Sequence, residues 1–337
     1  MLQIGLVGLG HWGPNIVKSF ELTGEASVTH VCDLNEKALA RVKGIQPRAR
    51  TTQVLDELLQ NDDLAAIAIA TPVPTHFAIA SKALEAGKHV LLEKPLTSTS
   101  DEARKLIALA KERGRVLMVG HVFEYNASIR ALKEIVDAGE LGALQYMSYT
   151  RTNLGPVRTD VNALWDLASH DISIMTYLLG QGPTDVTARG QSYLNADIED
   201  AVFATFTMPG NVLSHVNVSW LNPRKVRRIT VVGDKKMAVW DDLDMQRPIQ
   251  IFDRHVELPP ADSYIDYKTA VVDGGIYIPS IRLNQPLQAE CAHFVHCVRT
   301  GETPQSDGVN GLRVVLALEA ATTSMRSQSV LTEIPQA

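Results

Sequence analysis

The chain has 337 residues, of which 45% are hydrophobic and 21% charged, a composition typical of a globular protein with room for two domains. Its formal net charge of −6 argues against a general nucleic-acid-binding protein, because phosphate neutralisation needs a clustered basic surface. The chain has three cysteines, no signal-peptide pattern and no apolar stretch of about 20 residues, which predicts a cytoplasmic protein without disulfides or a membrane partner.

The first 120 residues alternate apolar, strand-like runs with helical stretches. The predicted strands span residues 4–7, 28–32, 65–70, 90–92 and 116–119, and the predicted helices span residues 14–22, 36–42, 75–85 and 100–113. Such alternation is typical of a parallel sheet with helices on both faces. We therefore predict an α/β domain over residues 1–120.

Residues 121–337 have a different pattern, in which strands follow one another without intervening helices. The predicted strands span residues 145–150, 185–193, 199–207, 213–220, 225–232 and 237–241, and the predicted helices span residues 127–137, 164–179, 285–299 and 308–327. Turns are predicted at Pro209-Gly210, Asn222-Pro223 and Gly233-Asp234, and residues 259–279 fit a loop over the sheet. This pattern predicts a second, α+β domain with a mainly antiparallel sheet.

A glycine-rich turn follows the first predicted strand. Its G-x-G-x-x-G pattern consists of Gly8, Gly10, His11, Trp12 and Gly13 together with the intervening Leu9. Gly8 permits a tight turn, Gly10 lets the backbone approach a pyrophosphate, and Gly13 allows close helix–strand packing. Asp33 ends the second predicted strand. Its carboxylate can accept hydrogen bonds from ribose hydroxyls there and would repel a 2′-phosphate. We therefore predict a Rossmann domain that binds NAD in preference to NADP.

Two further strand ends extend this predicted cofactor site. Thr71 and Pro72 follow the strand at 65–70, at the sheet edge where ligands of open α/β sheets bind, and we expect them to line the nicotinamide ribose. His76 begins the next helix and fits either a cofactor contact or packing and helix capping. Glu93 and Lys94 follow the strand at 90–92 and complete the predicted set of cofactor-binding residues.

Three residues have the chemistry of alcohol oxidation, which needs a base for the hydroxyl proton while hydride leaves the carbon. Asp166 and His170 are four positions apart and share one helix face, and histidine titrates near neutral pH. Lys94 can stabilise the developing alkoxide, and Asp166 can orient His170. Taken alone, Asp166 and His170 fit an ion pair on a helix surface equally well.

Together, the G-x-G-x-x-G start, the tripeptide Glu93-Lys94-Pro95 and the Asp166-x-x-x-His170 pattern resemble the glucose–fructose oxidoreductase/inositol dehydrogenase/rhizopine catabolism (Gfo/Idh/MocA) family over nearly the whole chain. The resemblance implies that Lys94 and His170 are catalytic and that Asp166 supports them. It also implies a Rossmann domain followed by an open-faced sheet that forms a homodimer or homotetramer. The family's glycine two residues before the histidine is Ala168 here, so the chain departs from the family pattern next to His170.

A polar cluster surrounds the second motif and fits either a sugar-binding surface or a solvated loop. The predicted substrate contacts are Tyr125, Asn126, Arg151, Asn153, Arg158, Asn162, Trp165 and His170, with Asp160 in the same cluster. This region is similar to family members that act on nucleotide-linked amino sugars, which implies oxidation at C3. Tyr125 and Asn126 fit ordinary packing at a helix start as well.

The predicted function is therefore an NAD-dependent dehydrogenase whose partner is a small-molecule sugar. The alternatives are a free-sugar or inositol dehydrogenase, an enzyme that recycles tightly bound NAD, and a non-catalytic NAD- or sugar-binding sensor. The cluster formed by Cys291, His293, His296 and Cys297 resembles a metal site, but its members point to different helix faces, so no metal is predicted.

Overall fold

The computed structural model describes residues 1–257 and 270–337, and the chain divides into two compact units. Unit 1 comprises residues 1–126 and 284–319 with residue 337, and unit 2 comprises residues 127–283 and 320–336. Within the described ranges, no helix combines the length and the apolar character that a bilayer crossing requires.

The α-helices of the described residues have the following bounds. They are α1 (Gly13–Thr23), α2 (Glu36–Val42), α3 (Leu55–Leu59), α4 (His76–Glu85), α5 (Ser100–Arg113), α6 (Ala127–Asp137), α7 (Ser169–Leu179), α8 (Pro286–Thr300) and α9 (Gly308–Arg326). Short 3₁₀ turns at Val73–Thr75 and Val122–Tyr125 and a π-helical turn at Leu164–Ala168 complete the helical structure of these residues.

Unit 1 is built on a six-stranded sheet in which all neighbouring strands are parallel. Its strands are β1 (Leu2–Val7), β2 (Ala26–Cys32), β3 (Arg50–Thr52), β4 (Ala66–Ile69), β5 (His89–Glu93) and β6 (Leu117–Gly120), in the order β3-β2-β1-β4-β5-β6. This order reverses between β1 and β4, which creates the crevice where dinucleotides bind in the Rossmann fold. The predicted fold is confirmed. Strand β3 and helix α3 were not predicted, because a three-residue polar strand has no hydrophobic pattern.

Unit 1 extends beyond the predicted boundary at residue 120. Helix α8 packs on α1, with the rings of Phe20 and Phe294 6.2 Å apart and Gln288 Nε2 donating to Leu22 O at 2.9 Å. The apolar face of α8 therefore completes the core of a sheet that lies far away in the sequence. The division consequently falls after residue 126, and residues 284–319 join unit 1 although the sequence pattern placed them in the second domain.

Unit 2 contains a nine-stranded sheet that is antiparallel except where β7 and β10 pair in parallel. Its strands are β7 (Leu144–Leu154), β8 (Asp185–Gln191), β9 (Ala201–Met208), β10 (Val212–Ser219), β11 (Leu221–Gly233), β12 (Met237–Asp241), β13 (Ile249–Glu257), β14 (Ala270–Tyr277) and β15 (Thr332–Glu333). The mainly antiparallel prediction is confirmed. The predicted Asn222-Pro223 turn instead lies inside β11, where the register with β7 shifts, and the loop predicted over 259–279 includes β14. Residues 259–269 of that prediction lie outside the described residues.

The two faces of the sheet in unit 2 differ. On the inner face, Trp240 is buried and its Nε1 donates to Ser128 Oγ of α6 at 2.7 Å. On the other face, Tyr146, Phe203 and Leu213 are each about half exposed, so large apolar side chains meet solvent in unit 2 taken by itself. This is the open face that the family resemblance implies.

Candidate active site

The glycine-rich turn between β1 and α1 has little space for side chains. Gly8 adopts a left-handed φ of 96°, and a Cβ there would lie 2.6 Å from Ala70 O. A Cβ on Gly13 would lie 2.2 Å from Gly8 O, whereas one on Gly10 would meet no described atom within 4 Å. The turn thus needs glycine at two positions for its own packing and leaves open space at the third. That combination fits a backbone that approaches a bulky anionic ligand.

Asp33 holds this turn in place. Its Oδ2 accepts the N–H of Leu9 at 2.5 Å, and its Oδ1 accepts the N–H of Asn35 at 2.7 Å. Asp33 also borders a pocket of about 380 Å³, whose other lining residues include Gly8, Gly10, Thr71 and Pro72. The pocket combines a glycine turn, a carboxylate and small polar side chains at the switch point of the sheet. These residues fit the adenosine half of a dinucleotide.

His76 does not lie in that pocket, although the sequence pattern allowed a cofactor contact. Its side chain is fully buried, with Nδ1 3.0 Å from Pro95 O and Nε2 2.9 Å from Thr71 O. Burial lowers the pKa of His76, and the charge on Lys94 lowers it further. Both ring nitrogens therefore face backbone carbonyls of the protein, which favours packing over a contact with the cofactor.

Lys94 lies between β5 and the buried Pro95, at the carboxyl edge of the sheet. Next to it, burial raises the pKa of Glu93 to about 7, while the charge and the N–H of Lys94 act in the opposite direction. Burial likewise raises the pKa of Glu290 well above its usual range, with Glu93 and Glu124 adding to the effect. Burial therefore favours the neutral form of the Glu93 carboxyl beside Lys94.

In unit 2, the chain from residue 164 to residue 179 is helical throughout, as predicted, but its first turn is a π-helix. Asp166 lies in this π-turn, and His170 lies in the first turn of α7. π-turns are rare and occur often at functional sites, because they displace a side chain from its regular position. The Asp166-x-x-x-His170 spacing thus belongs to an irregular helix start and not to a plain helix surface.

Asp166 receives hydrogen bonds from two connecting segments, one before its helix and one between β10 and β11. Its Oδ1 accepts from Arg158 Nη1 at 3.3 Å, and its Oδ2 accepts from the indole Nε1 of the buried Trp220 at 3.2 Å. Arg158 also pairs with Asp160 at 2.6 Å and lowers the pKa of that carboxyl. Trp220 is 54 residues away in the chain, and no local pattern in the sequence indicated it.

Arg151 is part of a buried ion pair, so the structure does not support its predicted contact with substrate. Its Nε and Nη2 donate to Asp171 Oδ1 at 2.9 and 2.8 Å, and the two side chains are 4% and 2% exposed. The pair ties the start of α7 to β7, directly after His170. Arg151 therefore fixes the helix on which His170 lies.

Other predicted substrate residues also bond within the protein. Tyr125 is fully buried, and its hydroxyl lies 2.9 Å from Ser306 Oγ. Asn162 donates to Glu199 and accepts the N–H of Trp165, whose indole donates to Thr322 Oγ1. Partial exposure remains for six residues of the predicted set: Asn126, Asn153, Arg158, Asn162, Trp165 and His170. Tyr125 and Arg151 are the two that are buried.

The histidine and cysteine side chains of α8 bond within unit 1. His293 Nε2 lies 3.5 Å from Cys297 Sγ and accepts the N–H of Gln305 at 3.0 Å, while His296 pairs with Glu302. Cys291 is fully buried in the core. Among the described residues, no group of three or more potential ligands is arranged to hold a metal ion.

Two family models match the chain. Residues 2–121 match the model described as "Oxidoreductase family, NAD-binding Rossmann fold", and residues 129–239 match the "GFO/IDH/MocA C-terminal domain". The first match covers the whole parallel sheet of unit 1, and the second runs from α6 to the start of β12.

The chain is also similar to characterised dehydrogenases over most of its length. It is 29% identical to UDP-N-acetylglucosamine 3-dehydrogenase of Acidithiobacillus ferrooxidans, over 94% of this chain and 95% of that protein. It is 27% identical to scyllo-inositol 2-dehydrogenase (NAD(+)) of Bacillus subtilis, over 97% of this chain and 94% of that protein. A solved structure of the A. ferrooxidans enzyme superimposes with a TM-score of 0.82 at 28% identity, covering 97% of this chain and 98% of that one.

Proposed function

Because the chain belongs to the Gfo/Idh/MocA family of NAD-binding oxidoreductases, we propose that it oxidises or reduces C3 of a nucleotide-linked amino sugar with NAD as cofactor. The nucleotide-linked substrate is inferred from the similarity to UDP-N-acetylglucosamine 3-dehydrogenase, which extends over 94% of this chain. The similar extent of the match to an inositol dehydrogenase makes a cyclic polyol the second candidate substrate.

The chemistry follows from the side chains. NAD, when bound, supplies the acceptor for the hydride that leaves the alcohol carbon. His170 takes the hydroxyl proton, and Lys94 donates a hydrogen bond to the same oxygen and stabilises its negative charge. Asp166, held by Arg158 and Trp220, stabilises the protonated form of His170. The products are a ketone, the reduced cofactor and one proton.

The preference for NAD rests on Asp33. Its carboxylate borders the pocket at the end of β2, where a 2′-phosphate would meet a negative charge. The residues that would hold the cofactor are Gly8, Gly10, His11, Trp12, Gly13, Asp33, Thr71, Pro72, Glu93 and Lys94. His76 is left out of this set, because both of its ring nitrogens face backbone carbonyls.

The test is absorbance at 340 nm with the purified protein, NAD or NADP, and a panel of UDP-N-acetylglucosamine, other nucleotide sugars, inositols and free hexoses. We expect a rise with NAD and a nucleotide-linked amino sugar. A rise with only inositols or free hexoses would contradict the nucleotide-sugar proposal. Product formation without net reduction of NAD would favour a recycled cofactor, and NAD binding without any turnover would favour the sensor.

We also propose that the open face of unit 2 joins copies of the chain into a homodimer or homotetramer. Phe203 is 52% exposed and Leu213 48% exposed, and they lie on the neighbouring interior strands β9 and β10. Exposed apolar surface of this kind is typical of an interface. Sedimentation velocity should show an oligomer for the parent protein and a smaller species for Phe203→Lys/Leu213→Lys. A monomeric parent protein would contradict the proposal.

A further inference from the structure

The buried imidazole of His76 lies between two loops of unit 1. One loop follows β4 and includes Thr71, which lines the cofactor pocket; the other follows β5 and contains Lys94 and Pro95. The ring nitrogens lie 2.9 Å from Thr71 O and 3.0 Å from Pro95 O. One side chain therefore contacts both the wall of the pocket, at Thr71 O, and the carbonyl of Pro95, the residue after Lys94.

This bridge belongs to a continuous series of contacts. The turn at Gly8 packs against Ala70, since a Cβ on Gly8 would lie 2.6 Å from Ala70 O. Ala70 N also donates to Val7 O at 2.8 Å, and the next residue, Thr71, meets His76. From the glycine turn to Lys94, each step is thus a backbone contact or one made by His76. Removing the imidazole interrupts this series at one place.

Packing alone does not require the two ring nitrogens of His76 to face backbone carbonyls. A neutral imidazole has one N–H, so it donates to only one carbonyl at a time, and the other nitrogen faces an acceptor. Burial lowers the pKa of His76; the carbonyls of Thr71, Pro95 and Leu96 oppose that effect, and Lys94 is the charged group that adds to it. A histidine that served only to fill space would be replaceable by an apolar side chain of similar size.

We propose that His76 is a positioning residue, which fixes the loop that carries Lys94 relative to the wall of the cofactor pocket. This inference rests on the proposed function, because the position of Lys94 affects kcat only if Lys94 contacts the reacting alcohol oxygen. It predicts that His76→Leu lowers kcat by about 10-fold to 100-fold, as expected when a catalytic group is misplaced. The Kd for NAD should change little, because Asp33 and the glycine turn remain. His76→Gln retains a donor and should recover part of kcat.

His89 offers a matched control. It lies at the opposite end of β5, and its Nδ1 accepts the N–H of Val116 at 3.0 Å, so it too joins backbone segments. His89→Leu should leave kcat unchanged. Unchanged kcat in His76→Leu, or equal losses of kcat in His76→Leu and His89→Leu, would overturn the positioning role. If His76→Leu does not fold, His76→Phe, which fills the space without a hydrogen-bond donor, takes its place, and a His76→Phe variant with the kcat of the parent protein would also overturn it.

A second readout separates this inference from the proposed function. The rate at which an amine-reactive reagent modifies Lys94 is measured by mass spectrometry, with the exposed Lys111 of α5 as the internal reference. We expect a severalfold change at Lys94 in His76→Leu and none in His89→Leu. If the parent protein oxidises no sugar but Lys94 labelling changes in this way, the positioning role stands while the proposed function fails. Turnover in the parent protein with identical Lys94 labelling in all variants would overturn the positioning role alone.

Discussion

Replacing Lys94 with methionine should lower kcat by about 10³-fold. The substitution keeps the length and packing of the stem and removes the only groups that can donate to the reacting oxygen from this position. Loss of one preorganised donor to a developing oxyanion costs about 10²–10³ in rate. The Kd for NAD should change much less than kcat, because the glycine turn and the pocket around Asp33 remain to hold the cofactor when Lys94 is replaced. Initial rates at 340 nm and quenching of the partly exposed Trp12 measure the two quantities.

Lys111→Met is the matched control for this variant. Lys111 is an exposed lysine on α5 of the same unit, so its replacement removes the same charge without touching the sheet edge. Its kcat should equal that of the parent protein. A Lys94→Met variant that keeps kcat within about tenfold would show that Lys94 does not contact the reacting oxygen, given the size of the effects expected for such a donor.

The sequence pattern was sufficient for the fold because its signals are local. The apolar run that became β4, the glycine turn and the acidic end of β2 each lie within a few residues, and each is a direct consequence of strand burial or turn geometry. The strand β3 was missed because its three residues, Arg50–Thr52, are polar and short. The position of α8 on α1 was missed because nothing in either helix specifies its partner.

The candidate site could be predicted only in part, because some of its contacts join residues that are far apart in the sequence. Spacing alone predicts Asp166 and His170 as a pair, since helix geometry relates residues four apart. The contact between Trp220 and Asp166 joins residues 54 apart, and that between Arg151 and Asp171 crosses from β7 to α7. A charged residue in a loop-like sequence is therefore easily assigned to substrate when its actual partner is another side chain of the protein.

The ion pair between Arg151 and Asp171 leads to the other large expected effect. Arg151→Met should lower the free energy of unfolding by about 3–5 kcal/mol, because it removes the guanidinium that pairs with the buried carboxylate of Asp171. Arg151→Met/Asp171→Leu should recover much of that loss, since replacing both partners with apolar side chains leaves no buried charge. Urea unfolding of the two variants and of Asp171→Leu alone measures the coupling between the residues.

The control for this experiment is the pair between the exposed Arg228 and the partly exposed Asp241, which joins β11 to β12 on the same sheet. Arg228→Met should change the free energy of unfolding by less than about 1 kcal/mol, because solvent screens an exposed ion pair. Equal effects of Arg151→Met and Arg228→Met would contradict the importance of burial. Recovery of stability in the double variant without recovery of kcat would show that the pair also fixes the neighbouring His170, and recovery of both would restrict it to stability.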